Sequence, residues 1–296
     1  MMLIQLLCGG RRMKMTISNF TTLYDVKFKD DHDTTIWDGM YNHLWESLEH
    51  FNKDQVVFIG LQGSQNYKLD TPTSDIDTKM IVVPSLEDLI FNRKAVSTTH
   101  VRPNNEHTDW KDIRLMFQTF RKQNLNFVEI LYSPWVIVNQ TYYNEVLPLF
   151  TNRDLVGFYS KVKAVQTMKG IALNKYDAME KQTPAHEAEM EKFGYSPKEL
   201  HHLIRITDFM YKYTKETYTY EECLIPNDTT NLIWIKKGGL SLDEARATAD
   251  RYKKIIVDLS DDFVSSHPME YSEEGEKLLD SVQEAVMRKA IKLELK

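Results

Sequence analysis

The sequence contains few cysteines and no long apolar run, and each shortage excludes a class of protein. Among its 296 residues only Cys8 and Cys223 are cysteines, too few for a disulfide framework and typical of a reducing cytoplasm. The apolar opening at residues 1–8 is too short to span a membrane and lacks the basic start of a signal peptide. We therefore expect a cytoplasmic protein without a membrane partner.

The chain also lacks an excess of basic residues. Its formal net charge of −6 argues against a broad, sequence-independent nucleic-acid surface, although a local basic groove remains compatible with it. A hydrophobic content of 42% and a charged content of 27% are ordinary for a globular chain that buries a sizeable core.

The most informative stretch runs from Gly60 to Lys79. The apolar run 56–59 before it predicts a buried strand that the following glycines end. A polar loop containing Gly63-Ser64 follows, and residues 75–83 predict a second strand.

The residue types in this stretch suit phosphoryl transfer. On a strand, Asp75 and Asp77 share a face with their Cα atoms roughly 6.5 Å apart, so both carboxylates can bind a hard divalent cation. Gly63 and Ser64 can present backbone N–H groups and a hydroxyl to a triphosphate. Together they form the minimal equipment for two-metal catalysis. The alternative is a hairpin whose carboxylates only face water.

Ten residues, 65–74, separate Ser64 from Asp75. A Gly-Ser pair followed at this distance by Asp-x-Asp resembles the signature of the nucleotidyltransferase superfamily that includes DNA polymerase beta. The longer sequence from Gly60 to Thr78 most resembles predicted nucleotidyltransferases of an RNA repair pathway. The resemblance implies an α+β fold, with a polymerase-beta-like core of a small mixed sheet and flanking helices, followed by an all-helical C-terminal module.

The pattern along the chain predicts three segments: a flexible extension at 1–15, a catalytic domain at 16–138 and a helical domain at 139–296, with the active site in the cleft between the two domains. Strands are predicted near 95–101 and 106–110. Helices are predicted near 34–52, 86–90, 112–131, 141–149, 153–180, 185–217, 241–260 and 272–293.

A two-metal site usually needs a third carboxylate from a neighbouring strand. In the superfamily this group acts as the base for, or orients, the attacking hydroxyl. Glu106, Asp109 and Asp112 are the candidates, and we favour Asp109 because it lies on a predicted strand. Asp112 has the position of a helix N-cap, which is sufficient reason for an acid there.

Two further segments resemble family elements. Residues 124–131 match an Asn-x-Asn-x-x-Glu pattern in which Glu129 would position a basic residue of the helical module; the alternative is a solvated helix face. Residues 233–245 predict a strand or turn that leads into a helix with a capping box. Lys236 and Lys237 beside it could touch substrate phosphates, but a solvated pair that flanks the turn is the favoured interpretation.

The second informative cluster is a helix that begins after Ser196. Lys198, His202 and Arg205 are spaced i, i+4 and i+7 and share one stripe, which could hold triphosphate and pyrophosphate charge. This pattern of Lys, His and Arg resembles one in the helical part of these nucleotidyltransferases. The alternative is a solvated basic face in which Arg205 pairs with Asp208. His201 is interpreted as structural.

The resemblance implies transfer of a nucleoside monophosphate from an NTP, ATP above all, to an acceptor hydroxyl or an RNA end. It also implies two Mg²⁺ ions, with Mn²⁺ as a substitute. We expect Asp75, Asp77 and the favoured candidate Asp109 to hold these ions, and Gly63, Ser64, Lys198, His202 and Arg205 to bind the nucleotide. Three alternatives remain open: transfer to a small molecule or protein side chain, a non-catalytic nucleotide-binding protein, and a metal-dependent phosphohydrolase. The oligomeric state is left open.

Overall fold

The computed structural model describes residues 4–8, 11–15, 19–24 and 31–296. The first two of these segments pair as an antiparallel hairpin of β1 (Ile4–Cys8) and β2 (Arg11–Met15), which forms a sheet of its own. The sequence pattern predicted no strand there. Because residues 1–3 and 9–10 lie outside the described residues, the expected flexible extension at 1–15 stays a prediction.

A six-stranded mixed sheet forms the centre of the protein. The pair β5 and β7 is parallel, and every other neighbouring pair is antiparallel. The spatial order is β3–β8–β4–β5–β7–β6, so β6 is an edge strand. The strands are β3 (Phe20–Thr22), β4 (Val56–Gln62), β5 (Asp77–Val82), β6 (Ser97–Val101), β7 (His107–Asp112) and β8 (Val136–Asn139).

Helices precede the sheet, connect its strands and make up the chain after β8. Those up to the end of the sheet are α1 (Asp31–Ser47), α2 (Leu86–Ile90), α3 (Ile113–Arg121) and α4 (Leu125–Val128). The helical module consists of α5 (Tyr143–Thr151), α6 (Asp154–Gly157), α7 (Lys161–Ala178), α8 (Glu187–Phe193), α9 (Pro197–Tyr213), α10 (Tyr220–Leu224), α11 (Thr229–Lys236), α12 (Leu242–Ser266) and α13 (Glu273–Glu294). None of the described helices has the length and apolarity that crossing a bilayer requires.

The sheet separates two hydrophobic cores. On one face α1 buries Trp37, Met40 and Leu44 in a core that also contains Met80 of β5. Complete burial of a side chain of this size stabilises the fold by about 1.5–3 kcal/mol. On the other face the helical module packs on a larger core that includes Ile81. Since side chains alternate along a strand, Asp77 and Lys79 share the face of Ile81 and point towards the helical module.

Gly60 allows a close approach on that second face. A Cβ atom at this position would lie 2.6 Å from Ile130 Cγ1, so any side chain would displace the 3₁₀ turn Glu129–Tyr132 from the sheet. The turn carries Glu129 into the core, where its side chain is 3% exposed.

The expected fold class is confirmed: an α+β protein with a mixed sheet and a helical C-terminal region. Several boundaries were wrong. The predicted strand 75–83 begins only at Asp77, and the predicted helix 112–131 breaks after Arg121, where Gln123 adopts a φ of 52°. The segment expected to contain a strand or turn near 233 is helix α11, since its apolar residues pack in the core beside α9. The domain boundary expected at 138/139 falls at the end of β8 and stays a prediction.

Candidate active site

The Gly63-Ser64 turn connects β4 to the loop before β5. Gly63 has a φ of 102° and a ψ of −157°, a conformation that L side chains rarely adopt, and Ser64 begins a 3₁₀ turn that runs to Tyr67. Gln65 Nε2 donates a hydrogen bond of 2.8 Å to the carbonyl oxygen of Asp75. A side chain of the turn therefore holds the main chain of Asp75, the first carboxylate residue of the motif, in place.

Asp75 and Asp77 lie at the mouth of β5. Asp75 precedes the strand and is exposed, whereas Asp77 is its first residue and is half-buried. The backbone N–H of His107, on the parallel neighbour β7, donates a 2.8 Å hydrogen bond to Asp77 Oδ1. The His107 ring follows it, with Nδ1 3.5 Å from the same oxygen. The main chain thus fixes the orientation of the Asp77 carboxylate.

The electrostatics of this carboxylate pair suit a cation. Burial raises the pKa of Asp77 above its usual value, and the charge of Asp75 raises it further, while the His107 hydrogen bond lowers it. A divalent cation would offset both the burial of the Asp77 charge and its repulsion by Asp75. Carboxylate oxygens are the ligands that Mg²⁺ prefers. Within the described part of the chain no third His, Cys, Asp or Glu joins the pair to complete a metal cluster. The donor set fits Mg²⁺ if substrate oxygens supply further ligands.

A cavity of about 260 Å³ lies between this corner of the sheet and the helical module. We call it the nucleotide cavity. The sheet contributes Gly63, Ser64, Asp75 and Asp77 among others. Four basic or imidazole side chains of the helical module close the opposite wall: Lys198, His201 and His202 of α9, and Lys236 at the end of α11. The predicted residues on both sides are therefore brought together, except Arg205 and Asp109.

Lys236 is a cavity residue that sequence reasoning ranked too low. Burial lowers the pKa of its ammonium group, and the charge of Lys198 lowers it further, whereas Asp70 and Asp75 raise it. Two cations face two carboxylates across the cavity. The signal that could have found Lys236 is its position in the last turn of a helix, but that helix was predicted as a strand or turn.

His201 also lines the nucleotide cavity, although it was interpreted as structural. Its side chain is 2% exposed, and neither ring nitrogen has a hydrogen-bond partner among the described residues. Burial, followed by the charges of Arg205, Lys236 and Lys198, lowers its pKa to about 3. Burial and the same cationic surroundings hold the pKa of His202 well below its usual value. Both imidazoles are therefore neutral at physiological pH.

Arg205 does not line the cavity and is not solvated. It is 3% exposed, and its guanidinium lies over the Tyr67 ring, 4.0 Å from the centroid. Burial raises the pKa of Glu129 beneath it, and the Arg205 charge lowers that pKa again. The alternative pairing with Asp208 is also wrong, because Asp208 pairs with Lys212 at 3.1 Å. Arg205 instead supports the back of the Gly63-Ser64 turn, and the solvated face suggested for Glu129 is excluded by its 3% exposure.

Asp109, the favoured third carboxylate, lies on β7 but outside the nucleotide cavity. Its Oδ2 pairs with Lys79 Nζ at 2.8 Å, and its Oδ1 accepts a 2.6 Å hydrogen bond from Thr99 Oγ1. Both carboxylate oxygens are thus engaged, and Asp109 lines a second cavity near the sheet edge. The register explains this placement: Asp109 pairs with Lys79, so it lies two residues beyond the level of Asp77.

The other two candidates have structural partners. Glu106 binds Arg102 at 2.6 Å and His43 at 3.1 Å, and its Oε1 accepts from the backbone N–H of Ile76 at 3.4 Å. It therefore steadies the link between Asp75 and Asp77 from the α1 side. Asp112 caps α3, as its position indicated, and its carboxylate pairs with Arg114.

His107 is the neighbouring-strand residue in contact with Asp77, and it was not among the three candidates from the sequence. Its side chain is 42% exposed and so remains accessible to an acceptor. Strand register, which the sequence does not reveal, decides between residues 107 and 109.

Comparison with known proteins covers most of this site. The model of a family described as the RNA repair pathway DNA polymerase beta family matches residues 40–211, which include the Gly63-Ser64 turn, both carboxylates and helix α9. A search of curated proteins gave no match.

Proposed function

The chain belongs to the RNA repair pathway DNA polymerase beta family, and on that premise we propose that it transfers a nucleoside monophosphate from an NTP to the terminal hydroxyl of an RNA. One observation carries the proposal: a Gly-Ser turn, two carboxylates and two lysines converge on one cavity. ATP is the proposed donor because the resemblance of the motif implies it, and pyrophosphate is the second product.

Asp75 and Asp77 would hold Mg²⁺, with Mn²⁺ as a substitute. When bound, the ions would neutralise phosphate charge and lower the pKa of an attacking hydroxyl. The chain prepares for this by presenting only oxygen donors and by fixing Asp77 through the His107 N–H.

The triphosphate would lie between the turn and the helical module. Backbone N–H groups of the Gly63-Ser64 turn and the Ser64 hydroxyl donate to phosphate oxygens from one side. Lys198 and Lys236 supply positive charge from the other, and His202, neutral and at the same wall, can donate one hydrogen bond. Charge that develops on the leaving pyrophosphate is therefore met by groups already in place.

The reaction forms one bond and breaks one. The acceptor oxygen bonds to the α-phosphorus, the bond from that phosphorus to the bridging oxygen breaks, and the electron pair leaves with pyrophosphate. The hydroxyl proton needs a base at the level of Asp77. We assign this role to His107, since its ring contacts Asp77 and is solvent-accessible. Asp109, predicted for the role, would first have to leave Lys79 and Thr99.

The test is incubation of the protein with each labelled NTP in turn, Mg²⁺ and a short single-stranded RNA. We expect label to enter the RNA and pyrophosphate to be released. The matched control is the same RNA with its terminal hydroxyl blocked by a phosphate, which should remain unlabelled. Label in the protein or in a small molecule would instead favour a nucleotidyltransferase that modifies a protein side chain or a small molecule. Release of nucleotide without any acceptor would favour a phosphohydrolase.

A further inference from the structure

A second cavity, of about 360 Å³, lies on the same sheet face as Asp77 and opens at the edge strand β6. We call it the edge cavity and define it by Thr99, Asp109, Lys111 and Phe127, which line it. The proposed chemistry of the nucleotide cavity uses none of these residues. Asp109 was a candidate for it from the sequence, but lies outside that cavity.

Cations dominate the edge cavity. The ammonium groups of Lys79 and Lys111 lie on the Phe127 ring, 4.1 and 3.9 Å from its centroid. Burial lowers the pKa of Lys111, and the charges of Lys79 and Lys122 lower it further, whereas the charge of Asp109 raises it. Asp109 neutralises Lys79, which is itself 3% exposed.

The charge of Asp109 reaches Lys111, but the Asp109 carboxylate forms its ion pair with Lys79 and not with Lys111. No carboxylate in the described part of the chain lies within ion-pairing distance of it, or of Lys122 on the adjoining surface. A half-buried ammonium group that is desolvated and repelled by its neighbours gains more from an anionic ligand than an exposed lysine does. Ser97, its cross-strand partner on β6, adds a hydroxyl donor.

The sheet register links this unpaired cation to the reaction centre. Along β7, His107, Asp109 and Lys111 point to the same face, and roughly 13 Å of strand separates the first from the last. A stacked strand of nucleic acid rises about 3.4 Å per nucleotide, so about four stacked nucleotides, or fewer if extended, cover that span. Beyond Lys111 the exposed residues of β6 leave the path open to solvent, as a polymer requires.

We propose that the edge cavity binds the phosphodiester backbone of the acceptor, through Lys111, a few nucleotides before the reacting end. The inference rests on the proposed function in one respect: the direction of the RNA, whose terminal hydroxyl would lie at His107. It does not need catalysis to occur, because binding of a single-stranded RNA without NTP is sufficient to reveal it.

The experiment measures fluorescence anisotropy of a labelled single-stranded RNA of about ten nucleotides, a length within the site size of single-strand binding folds. We expect Lys111→Gln to weaken binding about tenfold at low salt, as loss of one charged hydrogen bond would. The slope of log affinity against log salt should fall by about 0.7, the share of one phosphate contact on a single strand. Lys111→Arg should bind as wild type does.

Two further variants keep the result interpretable. Lys277→Gln, which removes an exposed lysine from α13, is the matched control and should leave binding unchanged. Lys122→Gln, at an exposed helix end, should lower the salt slope without affecting folding if Lys111→Gln proves unstable. A dinucleotide is too short to reach Lys111, and Lys111→Gln should not change its affinity.

The outcomes separate the two proposals. If wild type binds no RNA, or if Lys111→Gln and Lys277→Gln bind it equally, the edge cavity is not the acceptor site. If binding depends on Lys111 but no NTP is transferred, the inference stands and the proposed transfer fails. If transfer to RNA occurs with the same KM for RNA in wild type and Lys111→Gln, the transfer stands and the inference fails.

Discussion

Two regions supply the nucleotide cavity, and they differ in how their residues are divided between chemistry and stability. In the segment from Gly63 to Asp77, the turn residues and both carboxylates reach the cavity. In α9, Lys198 and His202 reach it but Arg205 is buried against Tyr67. The motif residues of the first segment all line the site, whereas those of α9 pass from the site into the core.

The difference has a geometric origin. The turn and strand define their own geometry over a few residues, through a glycine with positive φ and hydrogen bonds between neighbours. A stripe spaced i, i+4 and i+7 extends roughly 10.5 Å along a helix, so its ends can meet different surroundings. Shared spacing therefore predicts a shared face of the helix, but not a shared environment.

The largest expected effect tests the turn–strand region. Asp77→Asn should lower transfer by roughly a thousandfold, because it removes a charge that holds the cation in the transition state. Stability should not fall. The pKa of Asp77 is higher in the folded than in the unfolded state. Without Mg²⁺ the wild-type protein therefore loses stability as the pH rises from the unfolded-state pKa to the folded-state pKa. The Asp77→Asn variant has no carboxyl group at this position and does not lose it.

Thermal melting against pH, without added metal, checks the second half of this prediction. At neutral pH the variant should melt at or above the wild-type temperature, and the two should converge in acid. Retained turnover would contradict the metal-binding role of Asp77, and a large loss of stability would place Asp77 among the structural residues instead.

The next effect tests the buried end of α9. Arg205→Ala should lower the free energy of unfolding by about 3 kcal/mol, since it leaves Glu129 buried without a compensating charge and removes the contact with Tyr67. Lys198→Ala, about two turns earlier on the same stripe of α9 and exposed, should change it by less than about 0.5 kcal/mol. Chemical denaturation of both variants measures the difference, and equal stabilities would remove the distinction between the two ends of the helix.

A third prediction extends the comparison to β7. His107→Gln should lower kcat about a hundredfold while leaving stability nearly unchanged, as loss of a general base would. Asp109→Asn should instead act through Lys79, whose buried ammonium loses its partner, and so lower stability more than kcat. The reverse pattern would restore Asp109 as the base.

The smallest expected effect tests whether Lys236, in the wall of the nucleotide cavity, binds the NTP. Lys236→Ala should raise the KM for NTP about tenfold, the effect of losing one hydrogen bond to a charged group. Lys237→Ala, the exposed neighbour, is its control and should leave KM unchanged. Initial rates over a range of NTP concentrations distinguish them. Equal effects would return both lysines to the solvated surface.

The sequence was sufficient where structure is local. The strands around the motif, the cap at Asp112 and the breaks at turns depend on near neighbours, and so does the turn that Gly63 permits. The register of β7 against β5 and the burial of Arg205 depend on residues distant in the chain, and for that reason the choice among three carboxylates could not be made from spacing. Lys236 was ranked low because the apolar residues of its helix form one unbroken run, 232–235, which shows no helical period.

The contact between Arg205 and Tyr67 also fixes an order of events during synthesis. The ribosome releases the Gly63-Ser64 turn long before α9, and at typical elongation rates the interval is on the order of ten seconds. During that time the turn has neither its supporting guanidinium nor the basic wall of the cavity, and for the first half of it β4 also lacks its neighbour β8. Nucleotide affinity should therefore arise late and in a single step, so a nascent or prematurely terminated chain would sequester no NTP.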